Sequence, residues 1–504
     1  MPNLIRQFGR NIFSSWASLA IRVLLVFLVN PFIIHTLGDD QYGVWVLVVS
    51  ILNYVVILDF GIKQALLKFI SGFMAREEYD RINSLLGTAF SAYGIIGLVV
   101  IGVTFGLSFF ALDWLQIPGQ YLYQGRVVLV IIGLNTALGF FMVCHGDSLG
   151  AFHRYDVVYG LTIMEDILRT VTIIILLRNG YGLIPFALAF LVFSQLKYII
   201  GAFFLRRLIP RVKIKFGSFH RDSARLLLKY GFISFLISAA WLFISNTDNV
   251  LIGYFINTGA VTKYAIAAGF IVYLRALIHA VSFPLRPIIS HYESVDKIGN
   301  IRFIYTRGTK YFYFLTFVIA GITLIYGDSL IRLWMGPGYE QSAFILKILI
   351  VPAAVFLPQA IAASVMYGID RHRYLLYVII AEGLINLVLS ILLVDRYGLA
   401  GIAYGTAVPQ IIMYLFAVPL IMRTVLNINL TRFYLSVLYS ALGALFVSYL
   451  CGYLLTYLKR PTGWPLFFGE VLVVGAVSLA FGLIIFDRGE LRTILSRLQG
   501  HEKE

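Results

Sequence analysis

Apolar stretches of about twenty residues, the length an α-helix needs to cross a bilayer, recur along the whole of this 504-residue chain. Short segments rich in Gly, Pro and charge separate them. With 60% hydrophobic and 13% charged residues, such a chain cannot cover itself with the polar surface of a soluble domain. In hydrocarbon each backbone N–H and C=O must be paired within the protein, so long apolar runs of this kind fold as helices. Fourteen spans are expected, at 11–36, 42–62, 84–111, 125–148, 156–177, 183–205, 231–256, 262–287, 309–333, 341–367, 374–394, 398–422, 433–457 and 464–486. The fold class is an all-α polytopic membrane protein. The first span follows Arg6 and Arg10 and is too long for the core of a signal peptide, so it is read as a retained helix.

The net charge is +15, which raises nucleic acid as a partner. The cations sort by side of the membrane instead. With the N-terminus in the cytoplasm, the outer loops hold only Arg126, Arg178, Lys263, Arg332, Arg396, Lys459 and Arg460, and the dense run from Arg206 to Lys229 falls inside. That asymmetry is a topology signal. It predicts a multi-pass protein of the inner (cytoplasmic) membrane with both termini cytoplasmic, membrane lipids as neighbours and no nucleic acid. Cys144 and Cys451 lie inside separate spans, so neither a disulfide framework nor a metal cluster is expected.

The chain also repeats itself. The corner Gly150-Ala151-Phe152-His153-Arg154-Tyr155 parallels Gly368-Ile369-Asp370-Arg371-His372-Arg373-Tyr374, Glu165 parallels Glu382, Tyr181-Gly182-Leu183 parallels Tyr397-Gly398-Leu399, and Thr36, Gly38 and Tyr42 parallel Thr258, Gly259 and Tyr264. The intervals run only from 216 (Tyr181 to Tyr397) to 222 (Thr36 to Thr258). An even number of spans per copy makes the copies parallel, related by an axis along the membrane normal. The expected organisation is an N-lobe at 1–205, a basic cytoplasmic linker at 206–230, a C-lobe at 231–423, and two accessory spans with a short tail at 424–504.

Charged residues deep in a bilayer cost about 2.5–3.5 kcal/mol on insertion scales and face a cavity or a partner. Arg22, mid-span 1, and Arg275, mid-span 8, are the first candidates for holding an anion, because the guanidinium fork binds phosphate oxygens two at a time. Lys197 and Lys347 are further candidate cavity cations. The competing reading is that an acidic residue of a neighbouring helix neutralises each. Arg169 follows Glu165 by four residues and Asp166 by three, the spacing of a structural ion pair. Glu382 has Asn386 where Glu165 has Arg169, and Asp248, flanked by Asn246 and Asn249, has no cation on its own turn. Glu382, Asp248 and Asn386 are therefore candidates for coupling to H⁺ or Na⁺, with structural hydrogen bonding as the alternative. Asp59 with Lys63 reads as a helix-end ion pair, and Pro31, Pro284 and Pro287 as kinks.

The series Pro31-Phe32, Leu37-Gly38, Tyr42-Gly43, Leu58-Asp59-Phe60-Gly61-Ile62 and Phe69-Ile70-Ser71, with the Gly150 to Tyr155 corner and Asp248-Asn249-Val250-Leu251-Ile252-Gly253, resembles the polysaccharide-transporter, O-antigen-flippase-like family. That family belongs to the multidrug/oligosaccharidyl-lipid/polysaccharide exporter superfamily. The resemblance covers about residues 10–425. It implies two six-helix lobes around a cavity, alternating access, and passage of a polyprenyl-pyrophosphate-linked glycan to the outer leaflet. It also implies cavity-lining arginines, a sodium site between helices 7 and 11, and polysaccharide polymerase or glycosyltransferases as partners. No organic cofactor and no catalytic residue is expected: the longest outer loops, 112–124 and 334–340, are short, and no P-loop, HExxH or Gly-rich nucleotide motif is present. The rival readings are a lipid II-type flippase and a drug/cation antiporter, the latter calling for carboxylates where this chain has arginines.

Overall fold

The computed structural model describes residues 2–215 and 217–485; the expected basic tail and the last residue of span 14 lie outside the described residues. Within them the regular structure is helical, without strands: α1 (Pro2–Leu37), α2 (Asp39–Val55), α3 (Ile62–Met74), α4 (Tyr79–Phe110), α5 (Gly119–Val143), α6 (Tyr155–Arg178), α7 (Leu183–Leu208), α8 (Arg221–Phe255), α9 (Thr258–Ser282), α10 (Leu285–Ser294), α11 (Ile298–Met335), α12 (Glu340–Phe356), α13 (Ala360–Gly368), α14 (Arg373–Tyr397), α15 (Leu399–Ile412), α16 (Val418–Leu426), α17 (Leu430–Leu458) and α18 (Trp464–Ile485). Among the described residues thirteen segments are long and apolar enough to cross a membrane. The remaining expected span, the fifth (156–177), is α6, a 24-residue helix whose apolarity is diluted by Glu165, Asp166 and Arg169. The chain is an all-α polytopic membrane protein.

Two short helices depart from the expected spans. α3 has 13 residues, too few to cross. It buries Ile62, Ala65, Leu66 and Ile70 against α4 and α8 and leaves Lys63 and Lys68 exposed. α10 exists because Pro284 interrupts span 8 between Ser282 and Leu285. Pro31, by contrast, sits inside an unbroken α1.

The prolines explain several hydrogen bonds between helices, since each removes the N–H that would serve the carbonyl four residues back. Pro358 leaves the Ala354 carbonyl to the Thr316 hydroxyl at 2.9 Å. Pro419 leaves that of Leu415, where the Tyr434 hydroxyl donates at 2.7 Å. At the break before α10, the Ser364 hydroxyl donates to the Ser282 carbonyl at 2.9 Å. Such substitutions let bent helices persist in hydrocarbon.

The duplication has a backbone signature. Glu77 (φ 57°) and Asp296 (φ 55°) stand 219 residues apart, and His153 (φ 59°) and Asp370 (φ 55°) stand 217 apart, all four left-handed. After each, the next N–H bonds the carbonyl five residues back: Glu78 to Phe73, Lys297 to Tyr292, Arg154 to Leu149, Arg371 to Met366. This is the Schellman closure of a helix. Its recurrence at matched places on non-glycine residues marks copies of one design.

Compact units divide the chain differently from the repeat. The first runs from Met1 to Ala265 and the second from Ile266 onward, so the boundary falls inside α9, later than the 206–230 linker. The reason is that α8 packs on α2, α3 and α4. The linker itself is fastened to α4. Asn83 accepts from the Lys213 N–H at 2.8 Å and donates to the Arg211 carbonyl, Ser91 accepts from the Gly217 N–H, and Thr88 accepts from the His220 N–H. In the second unit α11 packs on α17 and α12, and α14 on α15. There is no room for a side chain at Gly405, which lies against Ser390.

Candidate functional site

In the first unit, α1, α6 and α7 bring charges together within apolar surroundings. Glu165 and Asp166 on α6 are buried. Arg169, one turn on, reaches both: Nη1 lies 2.7 Å from Glu165 Oε1, and Nη2 lies 2.5 Å from Asp166 Oδ1. Lys197 of α7 lies 2.7 Å from Glu165 Oε2, and the Ser194 hydroxyl donates to Oε1 at 3.1 Å. The half-exposed Arg22 of α1 bonds Asp166 through Nε at 3.2 Å. The Arg169 guanidinium also lies over the Phe190 ring. Arg22 and Lys197, candidates for anion contact, are thus each held by a carboxylate. Arg22, Arg169 and Lys197 outnumber Glu165 and Asp166, so the cluster keeps a net positive charge.

Beside this cluster is a cavity of about 330 Å³, lined by polar residues including Gln64, Asn135, Ser194 and Tyr198, with Asp59 and Lys63. Asp59 accepts from the Tyr93 hydroxyl at 2.5 Å, a partner on α4 that the Asp59 and Lys63 spacing does not reveal. Ser194 and Tyr198 flank Lys197 in sequence, so α7 turns one face to the ion pairs and the adjoining face to the cavity.

A polar seam joins α2 to α8 in the same unit. Asn53 donates to Asn246, Asn249 to Ser50, and Tyr54 shares a hydrogen bond with Thr247. Asp248 accepts from the Tyr264 hydroxyl of α9 at 2.5 Å, and Asp40 accepts from Thr258. Asp248 therefore has a tyrosine partner where its own helix supplies no cation.

In the second unit the buried Glu382 of α14 is approached by Gln410 and Tyr414, with Arg275 of α9 in electrostatic reach. Neither carboxylate oxygen has a partner of good hydrogen-bond geometry. Arg275 stands over the Phe356 ring, 5.2 Å from its centroid. Asn386, one turn from Glu382, donates to Thr406 at 2.8 Å. Tyr414 sits on a π-helical turn, Met413–Ala417, between Pro409 and Pro419; such turns are frequent at functional sites. Lys347 is elsewhere, bonded to Asp328 of α11 at 2.5 Å where Asp328 is largely exposed. Gln410, Tyr414 and Asn135 went unrecognised in the sequence, and Tyr264 is read there only as a mark of the repeat.

The model of the family described as "Polysaccharide biosynthesis protein" matches residues 8–293. The chain is similar end to end to "Uncharacterized membrane protein EpsK" of Bacillus subtilis (strain 168), 20% identical over 500 residues and 98% of both chains. It is likewise similar to "Probable flippase AglR" of Haloferax volcanii, 24% identical over 514 residues and 98% of both chains. Among solved structures, "Lipid II flippase MurJ, inward closed conformation" matches with a TM-score of 0.73 at 16% identity, over 95% of this chain and 98% of that one. At that identity the likeness is one of fold.

Proposed function

Because the chain belongs to the polysaccharide biosynthesis protein family, whose model spans more than half of it, we propose that it is a flippase moving a polyprenyl-pyrophosphate-linked oligosaccharide across the cytoplasmic membrane by alternating access. The observation that carries this reading is the end-to-end similarity to a probable flippase, on the fold of a lipid II flippase. The buried charges fit it. A cationic substrate calls for an excess of carboxylate, and the α1, α6, α7 cluster has an excess of cation, which disfavours a drug/cation antiporter. The protein acts as a transporter and not as an enzyme, with a polymerase or glycosyltransferases as partners in the same biosynthesis.

In this reading Arg275 and Arg22 meet the pyrophosphate, Arg22 by exchanging Asp166 for phosphate oxygens. Glu382 couples transport to a gradient of H⁺ or Na⁺, with Asn386 beside it and Asp248 as the second carboxylate. Both termini are cytoplasmic, so reporters fused at Gly38, Gly180 and Gly338 face outward and one at Gly217 faces inward.

The test is reconstitution. Proteoliposomes holding the purified protein and an inner-leaflet isoprenyl-pyrophosphate-linked N-acetylglucosamine should expose the sugar to an outside lectin faster than protein-free vesicles. Equal rates, with and without imposed proton and sodium gradients, would overturn the reading.

A further inference from the structure

The cavity in the first unit differs in chemistry from a phosphate site. Among the described residues no arginine lines it; Lys63 and Asp59 are its charged members, and its other polar walls are neutral: Gln64, Asn135, Thr136, Ser194, Tyr198 and Ser238. A pyrophosphate wants fixed guanidinium forks. Amide and hydroxyl groups that both donate and accept suit instead a ligand covered in hydroxyls. Phe140, Tyr198 and Phe235 add aromatic surface for the apolar face of a pyranose ring.

The walls are also fixed in advance. The Gln195 amide donates to Asn135 Oδ1 at 2.8 Å, so Asn135 meets the cavity through its own NH₂ group. Ser194 spends its proton on Glu165 and offers lone pairs. The Tyr198 ring packs where Gly146 leaves space and lies under the Lys197 ammonium, 4.9 Å from its centroid. Lys197 is in turn bound to Glu165. The ion-pair cluster therefore serves as a rigid backing for two of the polar walls, and such preorganisation cuts the cost of binding.

We propose that this cavity is a saccharide subsite, in which Asn135 and Ser194 hydrogen-bond a sugar's hydroxyl or acetamido groups and Tyr198 stacks on its ring. The assignment rests on the flippase reading and names the part of the chain that meets the glycan, as distinct from the pyrophosphate.

The experiment compares two probes on the full-length protein in nanodiscs: a short isoprenyl pyrophosphate, and the same lipid bearing N-acetylglucosamine. The sugar should tighten binding to the parent about tenfold, the sum of one or two net hydrogen bonds and a ring contact. In Asn135→Ala and Tyr198→Ala the ratio of the two affinities should fall towards one, with binding of the bare lipid showing that each variant is folded. Gly139→Leu is a third probe, because a Cβ there meets nothing nearer than the Tyr198 hydroxyl at 3.8 Å, so the larger side chain fills the cavity without moving backbone; it too should erase the sugar's contribution. Equal binding of both probes by the parent, or an undiminished ratio in all three variants, would overturn the subsite while the flippase reading stands. Failure of the parent to bind either probe would overturn both.

Discussion

Lys197 holds the Glu165 carboxylate at 2.7 Å, and the residue 217 positions beyond Lys197 is Tyr414, which approaches Glu382, the residue 217 positions beyond Glu165. Asn386 stands in the same way for Arg169. One copy of the repeat thus keeps a carboxylate bonded to two cations, and the other sets it beside amide and phenol with Arg275 of α9 in electrostatic reach. The two sites share a scaffold and differ in charge, so loss of the carboxylate should have different effects in the two.

The first consequence concerns stability. Glu165→Gln leaves Arg169 and Lys197 facing each other without their shared anion. Breaking a buried pair in this way costs about 3 kcal/mol or more, reduced here because Lys197 keeps some solvent access. Glu382→Gln breaks no hydrogen-bonded ion pair and removes only the longer-range attraction between its carboxylate and Arg275 of α9. Thermal unfolding in detergent should therefore show a clearly lower midpoint for Glu165→Gln and a nearly parental one for Glu382→Gln. Equal midpoints would show that the cations around Glu165 are already solvated.

The arginines should separate as well. Arg275 is partly buried and stands over the Phe356 ring, whereas Arg22 is half-exposed and bonded to Asp166. Arg275→Ala should abolish transport with the protein still in the membrane, and Arg275→Lys should restore only part of it, because the bidentate fork is lost. Arg22→Ala should be weaker on transport and should also release Asp166. Full transport by Arg275→Ala would show that this arginine does not hold the substrate anion.

How much of this was legible beforehand follows from the physics of each feature. The spans announce themselves because about twenty apolar residues in a row admit one structure in lipid, and even α6 is readable from its place in the repeat. α3 is missed because thirteen residues with lysines on one face look like a loop between spans. Glu165 with Arg169 is visible since both lie on one helix face. The bonds from Arg22 to Asp166, Lys197 to Glu165 and Tyr264 to Asp248 join different helices, and no spacing within a helix encodes them. Tyr414 did carry a signal: the interval that relates Glu165 to Glu382 also relates Lys197 to it.

The left-handed residues offer a test of the duplication at the level of energy. Non-glycine residues in that conformation cost about 1 kcal/mol relative to glycine. Glu77→Gly and Asp296→Gly should each raise thermal stability by a comparable small amount, and the β-branched Glu77→Val and Asp296→Val should lower it. The paired response is the point of the measurement. If the changes at Glu77 and Asp296 have opposite signs, the two closures are not equivalent and the backbone signature loses its force.

Coupling to an ion gradient bears most directly on mechanism. Glu382 is buried, neither of its oxygens has a well-aligned donor, and Arg275 is the cation in reach. An ionised carboxylate so placed pays a desolvation cost that a bound proton or Na⁺ removes, whereas Glu165 is neutralised by Arg169 and Lys197 without any ion. Glu382→Gln carries the neutral form permanently. It should move lipid-linked sugar at the same rate whether or not a proton or sodium gradient is imposed, while the parent accelerates under one of them. Glu165→Gln, once corrected for the amount of folded protein, should keep the parental response. The choice between the ions comes from the same vesicles, since a sodium gradient at uniform pH and a proton gradient at uniform sodium drive the parent separately. If Glu382→Gln responds to the gradients as the parent does, the coupling carboxylate is not Glu382, and Asp248, with its Tyr264 hydrogen bond, becomes the residue to replace.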